Sequence, residues 1–206
     1  MSVAIITGSS GLVGSDAVNF FCEKGFDVIG IDNNFRKHFF GNEGSTIWIK
    51  NKNLKKNKNF KSFSIDIRNY NALEKIFKKR KNRISVIIHC AAQPSHDYGK
   101  NFPVLDFEVN AKGTLNLLEL CKIYCPESPF IFMSTNKVYG DNPNKLMPIE
   151  KKKRWELKKK DKNFSGIDEK FPIDNCIHSF FGVSKTYADL IVQEYGKNVG
   201  LKTVSF

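Results

Sequence analysis

No apolar run in the sequence reaches the roughly 20 residues that a membrane-spanning helix needs. The first residues lead directly into a short apolar segment, without a basic leader or a small-residue cleavage site, so we expect no signal peptide. The chain also shows no internal repeat. These absences predict a cytoplasmic protein with no membrane partner, and they argue against a repeat architecture.

Cysteine lacks the pairing that would make a metal site or a disulfide framework. The five cysteines are odd in number, and only Cys121 and Cys125 lie one helical turn apart. A zinc site needs a second close pair, which the sequence does not contain. We therefore expect buried, reduced thiols and no metal.

Acidic residues are few beside basic ones: 21 Asp and Glu against 33 Lys and Arg give a formal net charge of +12. Such a balance raises the question of nucleic-acid binding. The lysines concentrate in segments 50–61, 78–83 and 151–162, which are mixed with asparagine, lack regular aromatic interleaving and are predicted in loops or at a helix end. This pattern favours a solvated surface and no nucleic-acid partner.

Alternating apolar strands and amphipathic helices define the expected fold. With 206 residues, the chain is long enough for one domain with a sizeable core. Strands are predicted at 2–7, 26–31, 60–67, 85–89, 129–134 and 202–206, and helices after Gly14 and at 70–81, 104–124 and 182–198. The alternation predicts an α/β protein with a Rossmann-type, doubly wound parallel sheet. Segment 47–49 is either a short helix or a small lid, and 141–179 is a long irregular insertion.

Three glycines follow the first strand at three-residue spacing. Gly8 permits a tight strand-to-helix turn, Gly11 lets backbone N–H groups approach an anion, and Gly14 lets the helix pack closely on the sheet. The helix then presents unpaired N–H groups and the positive end of its dipole. The pattern predicts a pyrophosphate site, with an ordinary parallel-sheet turn as the alternative.

Asp32 ends the second predicted strand, eighteen residues beyond Gly14. An acidic residue at about that distance is placed to accept hydrogen bonds from an adenosine ribose. Because a carboxylate repels a 2′-phosphate, Asp32 favours NAD over NADP, and nearby Arg36 weakens that preference without reversing it. A residue that merely begins a loop is the alternative.

Segments 7–14, 32–37, 66–67, 89–93, 106–119 and 134–141 together carry the motifs of a known family. The chain resembles the extended short-chain dehydrogenases/reductases of the sugar-nucleotide epimerase/dehydratase group, and the likeness covers its whole length. The resemblance implies a tightly held NAD that removes a hydride from a sugar carbon and returns it to the other face of the resulting ketone. Within this group, the chain most resembles the members that epimerise C2 of a CDP-linked hexose.

The resemblance also implies which residues form the site. A nucleotide-sugar, of the CDP-hexose type, is the implied partner, and helices 104–124 and 182–198 are the implied homodimer interface. The expected cofactor contacts are Gly8, Ser10, Gly11, Leu12, Val13, Gly14, Asp32, Asn33, Arg36, Asp66, Ile67, Ala91, Ala92, Gln93, Asn110 and Lys185.

The sequence departs from the family at its catalytic Tyr-x-x-x-Lys motif, where Phe181 precedes Lys185. In the family the phenol accepts the hydroxyl proton, while the lysine lowers the phenol's pKa and binds the nicotinamide ribose. Phenylalanine cannot carry a proton. Three explanations remain open. The protein is a relic that only binds the cofactor, it catalyses a different reaction, or another group serves as the base. The candidates for that base are Thr135, Ser134, His178 and a water polarised by Lys185.

Thr135 matches the family's hydroxyl that hydrogen-bonds the reacting sugar oxygen, with a strand-end threonine bonded to backbone as the alternative. A 4,6-dehydratase would need a carboxylate after this position, and Asn136 and Lys137 supply none.

The second departure is length, because family members continue into a C-terminal lobe that holds the nucleotide-sugar. We expect 1–206 to be the NAD-binding domain of an epimerase that is a fragment or a truncated protein. A non-catalytic NAD-binding module is the alternative.

Overall fold

A central sheet of six parallel strands organises the protein, which a computed structural model describes for residues 2–206. Its strands are β1 (Val3–Thr7), β2 (Asp27–Ile31), β3 (Phe60–Phe63), β4 (Ile84–His89), β5 (Phe130–Phe132) and β8 (Thr203–Ser205). Two further short strands are β6 (Ile149–Glu150) and β7 (Trp155–Glu156). The sheet order is β3-β2-β1-β4-β5-β8, while β6 and β7 pair antiparallel outside it. This is the order of a doubly wound sheet, so the predicted fold class is confirmed.

Helices connect the strands and cover both faces of the sheet. They are α1 (Leu12–Glu23), α2 (Arg36–Phe40), α3 (Ile47–Lys56), α4 (Tyr70–Arg80), α5 (His96–Asn101), α6 (Pro103–Phe107), α7 (Gly113–Tyr124) and α8 (Ser179–Lys197). A π-helical turn, Glu108–Lys112, joins α6 to α7. The predicted helix 104–124 is therefore present, with a wider turn in its middle.

The core has two halves, one on each face of the sheet. Every residue of β1 is buried, and successive side chains point to opposite faces. On one face Ile5 and Ile87 pack with side chains of α4, α7 and α8. On the other, Ile6 and Ile88 pack with Val18 of α1. Burial on both faces explains why the central strands read as continuous apolar runs.

Segment 47–49 begins helix α3, and most of the lysine-rich segment 50–61 belongs to this helix. The prediction of a loop for those lysines was wrong. The helix is anchored by amides: Nδ2 of Asn57 donates to Oδ1 of Asn19 on α1 at 2.9 Å, and buried Asn53 lies beside them. Apolar periodicity cannot detect an interface made of asparagines.

Other element boundaries also differ from the prediction. The third strand ends at Phe63 rather than at 67, and α8 begins at Ser179 rather than at 182. Helix α5 was not predicted, because its six residues contain little apolar pattern. No helix within residues 2–206 is long and apolar enough to cross a membrane.

Candidate functional site

A groove of about 400 Å³ opens where the strands end on the carboxyl side of the sheet. It lies where the winding reverses between β1 and β4, which is the usual ligand position in open α/β sheets. Eleven of the predicted cofactor residues line it: Gly8, Gly11, Asp32, Asn33, Arg36, Asp66, Ile67, Ala91, Ala92, Gln93 and Lys185. Ser134, Thr135 and Phe181 also line it. Five predicted residues lie outside its lining: Ser10, Leu12, Val13, Gly14 and Asn110.

The glycine turn brings backbone to the floor of the groove. Gly8 has φ +66°, and its N–H donates to the carbonyl of Ile31 at 2.8 Å. A Cβ at Gly8 would lie 2.8 Å from the Ala91 nitrogen, and one at Gly14 would lie 2.1 Å from the Gly8 carbonyl oxygen. A side chain at either position would push apart the backbone segments that meet here.

Helix α1 directs an uncompensated N-terminus toward this turn. Its N-cap is Gly11, and among the described residues no side chain caps it and no acidic residue occupies its first turn. The free N–H groups and the positive end of the helix dipole are the features that bind a phosphate.

Asp32 extends from the end of β2 into the groove and is oriented by two backbone donors. Its Oδ2 accepts from the N–H of Ser10 at 3.0 Å, and its Oδ1 accepts from the N–H of Asn34 at 2.8 Å. A carboxylate oxygen has two lone pairs, so each oxygen keeps one acceptor position for a ligand hydroxyl. Ser10 therefore affects the site by orienting the carboxylate of Asp32.

The neighbouring carboxylate, Asp66, is saturated. Its Oδ1 accepts from the N–H and Nε of Arg68 at 2.8 and 3.0 Å, and its Oδ2 accepts from Nη2 of Arg68 at 2.7 Å and Nδ2 of Asn33 at 3.0 Å. Burial acts to raise the pKa of Asp66, but the hydrogen bonds and charge of Arg68 outweigh it and hold this pKa below its usual range. A ligand donor would have to displace one of these partners or use the backbone of Asp66 and Ile67 instead.

Lys185 is the charged group at the opposite end of the groove. It is buried, its Nζ donates to the carbonyl of Met133 at 2.8 Å, and Nζ lies 4.1 Å from the ring centre of Phe132. Burial lowers the pKa of Lys185 to about 8, against the opposing charge of Asp189. The ammonium still has two N–H donors for a ligand.

The structure separates the candidates for a proton acceptor. The hydroxyl of Ser134 donates to Asp189, and Oγ1 of Thr135 accepts from the N–H of Lys137 at 3.3 Å. Nε2 of His178 lies 2.6 Å from the carbonyl of Ile173, and His178 is outside the groove lining. Thr135 lines the groove, as the sequence predicted.

His96, which the sequence analysis does not single out, lies next to the groove residue Phe181 but does not line the groove. It is the first residue of α5, and its ring meets the ring of Phe181 edge-on, with 6.0 Å between the centres.

Behind the groove wall, a buried network ties the central helices to the β4 loop. Oδ1 of Asn110 accepts from the N–H of Gln93 at 2.8 Å, and its Nδ2 donates to Oγ of Ser184 at 2.9 Å. Ser184 in turn donates to Oδ2 of Asp106 at 2.6 Å. Asn110 thus holds the Gln93 loop and helix α8 in place from behind the wall, without itself lining the groove.

Ring contacts join helix α2 to helix α5. Phe39 of α2 meets Tyr98 of α5 edge-on, with 4.8 Å between ring centres, and Tyr98 stacks on Phe102 at 5.0 Å. We call Phe39, Tyr98 and Phe102 the aromatic bridge.

These features fit a dinucleotide: a glycine floor and helix N-terminus for the pyrophosphate, an acidic acceptor at the β2 end and a lysine at the far end. The match to known proteins agrees with this chemistry. Residues 4–206 match the family model described as NAD dependent epimerase/dehydratase. The chain belongs to this family.

Two relatives illustrate its place in the family. The CDP-paratose 2-epimerase of Salmonella typhi is 34% identical in an alignment that covers 98% of this chain and 55% of the relative. The UDP-glucuronate 4-epimerase of Thermodesulfobacterium geofontis is 33% identical in an alignment that covers 69% of this chain and 42% of the relative. The predicted family resemblance is confirmed.

A solved member of the family has the same architecture. The UDP-glucose 4-epimerase of Thermus thermophilus, in complex with NAD, superimposes with a TM-score of 0.70 at 29% identity. The match covers 98% of this chain and 53% of that one. The chain thus spans about half the length of the relatives that it matches.

Proposed function

We propose that this protein binds NAD in the groove and epimerises a nucleotide-sugar through a transient ketone. The observation that carries the proposal is the groove itself, with the uncapped N-terminus of α1 at one end and buried Lys185 at the other. Family membership and the NAD complex of a relative support the choice of cofactor.

The roles follow from the contacts. The α1 N-terminus with Gly8 and Gly11 holds the pyrophosphate, and Asp32 with Asn33 holds the adenosine ribose. Bound NAD⁺ supplies an acceptor that takes a hydride and returns it. Lys185 donates to the nicotinamide ribose, and the Thr135 hydroxyl orients the reacting sugar oxygen.

A second cavity, of about 780 Å³, suits the sugar. It shares Ser134 and Thr135 with the cofactor groove and extends along Tyr139, Glu169 and Asp189. Hydroxyl, phenol and carboxylate groups are suitable partners for sugar hydroxyls. The similarity to a CDP-paratose 2-epimerase favours a CDP-linked hexose as the substrate, and C2 as the carbon that changes.

We also propose a homodimer. Val104 and Phe107 of α6 and Val183 and Tyr187 of α8 are exposed apolar residues, and the rings of Phe107 and Tyr187 are 5.8 Å apart. Their helical spacing places these four side chains on one outer face, which a second copy would cover.

The test uses the protein as its gene encodes it, purified without added cofactor. Denaturation should release NAD(H), and CDP- or UDP-linked hexoses should transiently reduce the bound nicotinamide. A matched Phe181→Tyr variant restores the family's phenol. Absence of NAD(H), with no binding when NAD⁺ is added, would contradict the cofactor assignment.

The phenyl ring at 181 favours one other function, a non-catalytic NAD-binding module that acts as a sensor or scaffold. That alternative predicts bound NAD that no sugar nucleotide reduces in the natural protein. Reduction only in the Phe181→Tyr variant would support it, because the pocket would then be intact and only the proton acceptor missing.

A further inference from the structure

The segment that follows β5 lies where the cofactor groove meets the sugar cavity. Of the residues that the structure describes, Ser134 and Thr135 alone line both, and Met133 lines the groove. We call Met133, Ser134 and Thr135 the junction segment. In the proposed reaction the Thr135 hydroxyl orients the reacting sugar oxygen. Whatever holds the junction segment therefore also sets where the sugar lies relative to the cofactor.

Helix α8 holds the junction segment with two charged side chains. Nζ of Lys185 donates to the carbonyl of Met133 at 2.8 Å. The hydroxyl of Ser134 donates to Oδ2 of Asp189. Lys185 and Asp189 are four residues apart on α8, so they lie on one face of the helix. One turn of α8 thus binds the two residues that directly precede Thr135.

The carboxylate of Asp189 is oriented by the protein itself. It is partly buried, and both of its oxygens accept hydrogen bonds from side chains. Oδ2 accepts from Ser134, and Oδ1 accepts from Nε2 of Gln193, one turn further along α8, at 2.7 Å. A side chain that is fixed by such bonds can hold its neighbours in a defined geometry.

Asp189 also acts on Lys185 through its charge. Burial lowers the pKa of Lys185 to about 8, and the negative charge of Asp189 opposes this fall. From the end of β4, His89 and Cys90 face the same ammonium. Burial lowers the pKa of His89 to about 3 and raises that of Cys90 to about 11, so neither changes its charge near pH 8.

We propose that Asp189 is a positioning residue for the epimerisation, and the inference rests on that proposed function. Through Ser134 it fixes the junction segment, and with it the hydroxyl of Thr135. Through its charge it keeps the Lys185 ammonium protonated for the nicotinamide ribose. Asp189 acts through these neighbours and takes no proton from the sugar.

The first experiment measures how fast CDP- and UDP-linked hexoses reduce the bound nicotinamide, over a range of sugar concentrations. Asp189→Asn should lower the rate at saturation by about 10- to 100-fold, since a displacement of about 1 Å in a positioned group has effects of this size. The half-saturating concentration should stay close to that of the wild type. A direct bond from Asp189 to the sugar would instead raise that concentration and preserve the rate, which would overturn the proposal.

Two further variants separate the bond from the charge. Ser134→Ala removes the bond to the junction segment and leaves the carboxylate in place, so the rate at saturation should fall as it does in Asp189→Asn. Glu194→Gln neutralises an exposed carboxylate on the same helix and should keep the wild-type rate. If Asp189→Asn does not fold, a wild-type rate in Ser134→Ala would overturn the proposal.

The pH dependence of NAD⁺ affinity, in protein stripped of NAD, provides a readout that looser packing would not move. A charged donor makes the stronger hydrogen bond, so affinity should fall as pH rises through the pKa of Lys185, about 8. In Asp189→Asn this fall should begin at lower pH, while Ser134→Ala should keep the wild-type midpoint. Looser packing would weaken binding equally at every pH, and an unmoved midpoint would overturn the role of the charge.

Urea unfolding gives the same information without cofactor. The unfolded chain keeps the Lys185 proton that the native state releases above pH 8, so the contribution of Lys185 to stability rises with pH from there. Asp189→Asn should move the start of this rise to lower pH. In a Lys185→Met background the same substitution should move nothing, and a shift there would contradict the coupling.

Failure of this inference differs from failure of the epimerase function. If Asp189→Asn keeps the wild-type rate and the wild-type pH midpoint, Asp189 is not a positioning residue, and the epimerase function stands. If the wild-type protein holds NAD that no sugar nucleotide reduces, the epimerase function fails. The pH midpoints of affinity and of unfolding then still decide whether Asp189 holds the charge of Lys185.

Discussion

Phe181 lies on α8 with Ser184 and Lys185. Lys185 is buried beside it with a pKa lowered to about 8 by burial, and Ser184 keeps its bond to Asp106. A buried ammonium costs stability, since water solvates it better than the protein interior does.

The pH dependence of stability should reveal this cost. The pKa of Lys185 is about 8 in the folded state and 10.5 ordinarily, so between these values the unfolded chain holds a proton that the native state has released. Stability from this residue therefore rises with pH from 8 to 10.5, by up to about 3 kcal/mol, and the penalty is complete below pH 8. Urea unfolding of wild type and Lys185→Met at several pH values measures it.

The quantity to follow is the difference in the free energy of unfolding between wild type and Lys185→Met. Burial raises the pKa values of Cys22 and Cys90 to about 11, so these thiols lower stability as pH rises. They do so in both proteins, and the comparison therefore removes their contribution. A difference in the free energy of unfolding that stays flat from pH 8 to 10.5 would contradict the shift.

Gly8 provides the second prediction at the scale of a residue. Gly8→Ala combines a positive φ with a Cβ 2.8 Å from the Ala91 nitrogen, so we expect a loss of about 3 kcal/mol and weaker NAD⁺ binding. Gly25→Ala is the matched control: its φ is +81°, but no atom lies within 4 Å of the added Cβ. It should cost only about 1 kcal/mol. Equal losses in urea unfolding would contradict the close approach.

At the scale of elements, the buried network fixes how α8 lies against the central helix. Ser184→Ala removes the interior partner of Nδ2 of Asn110 and of Oδ2 of Asp106, so we expect a loss of about 2 kcal/mol. Ser15→Ala, which removes an exposed bond to the carbonyl of Leu12, should change stability by less than about 0.5 kcal/mol. Thermal or urea unfolding compares them, and similar losses would show that the network does not fix α8.

The strands and helices that could be predicted from the sequence are those in which apolar residues recur at a regular spacing. The central strands and α4 follow from apolar runs and from the Asn69 cap, whose side chain accepts from the N–H of Ala72 at 3.0 Å. Helix α3 could not be assigned, because amides hold it to α1. The short α5 has too few residues for a periodic pattern.

The molecule as a whole should pair through the outer face of α6 and α8. Val183→Glu places a charge on the proposed interface, so sedimentation should shift from dimer to monomer. Ile123→Glu, at an exposed apolar position of α7, is the control and should leave the dimer unchanged. A wild-type protein that sediments as a monomer would exclude this interface.

The general position of the site could be predicted, since parallel strands bring their carboxyl ends to one edge. Its detailed contacts could not. The saturation of Asp66 by Arg68 and the placement of Asn110 behind the wall depend on side-chain geometry that residue spacing does not encode. A residue role inferred from family resemblance therefore predicts where the residue lies better than which atoms it contacts.

The aromatic bridge has a consequence for how the groove responds to its solution. Phe39, Tyr98 and Phe102 join α2 to α5, next to the groove, through ring contacts, not ion pairs. Dissolved ions screen attraction between exposed charges, but they do not weaken apolar contacts in this way, and sulfate strengthens them. Salt that would weaken a contact between paired charges therefore leaves this contact between α2 and α5 in place.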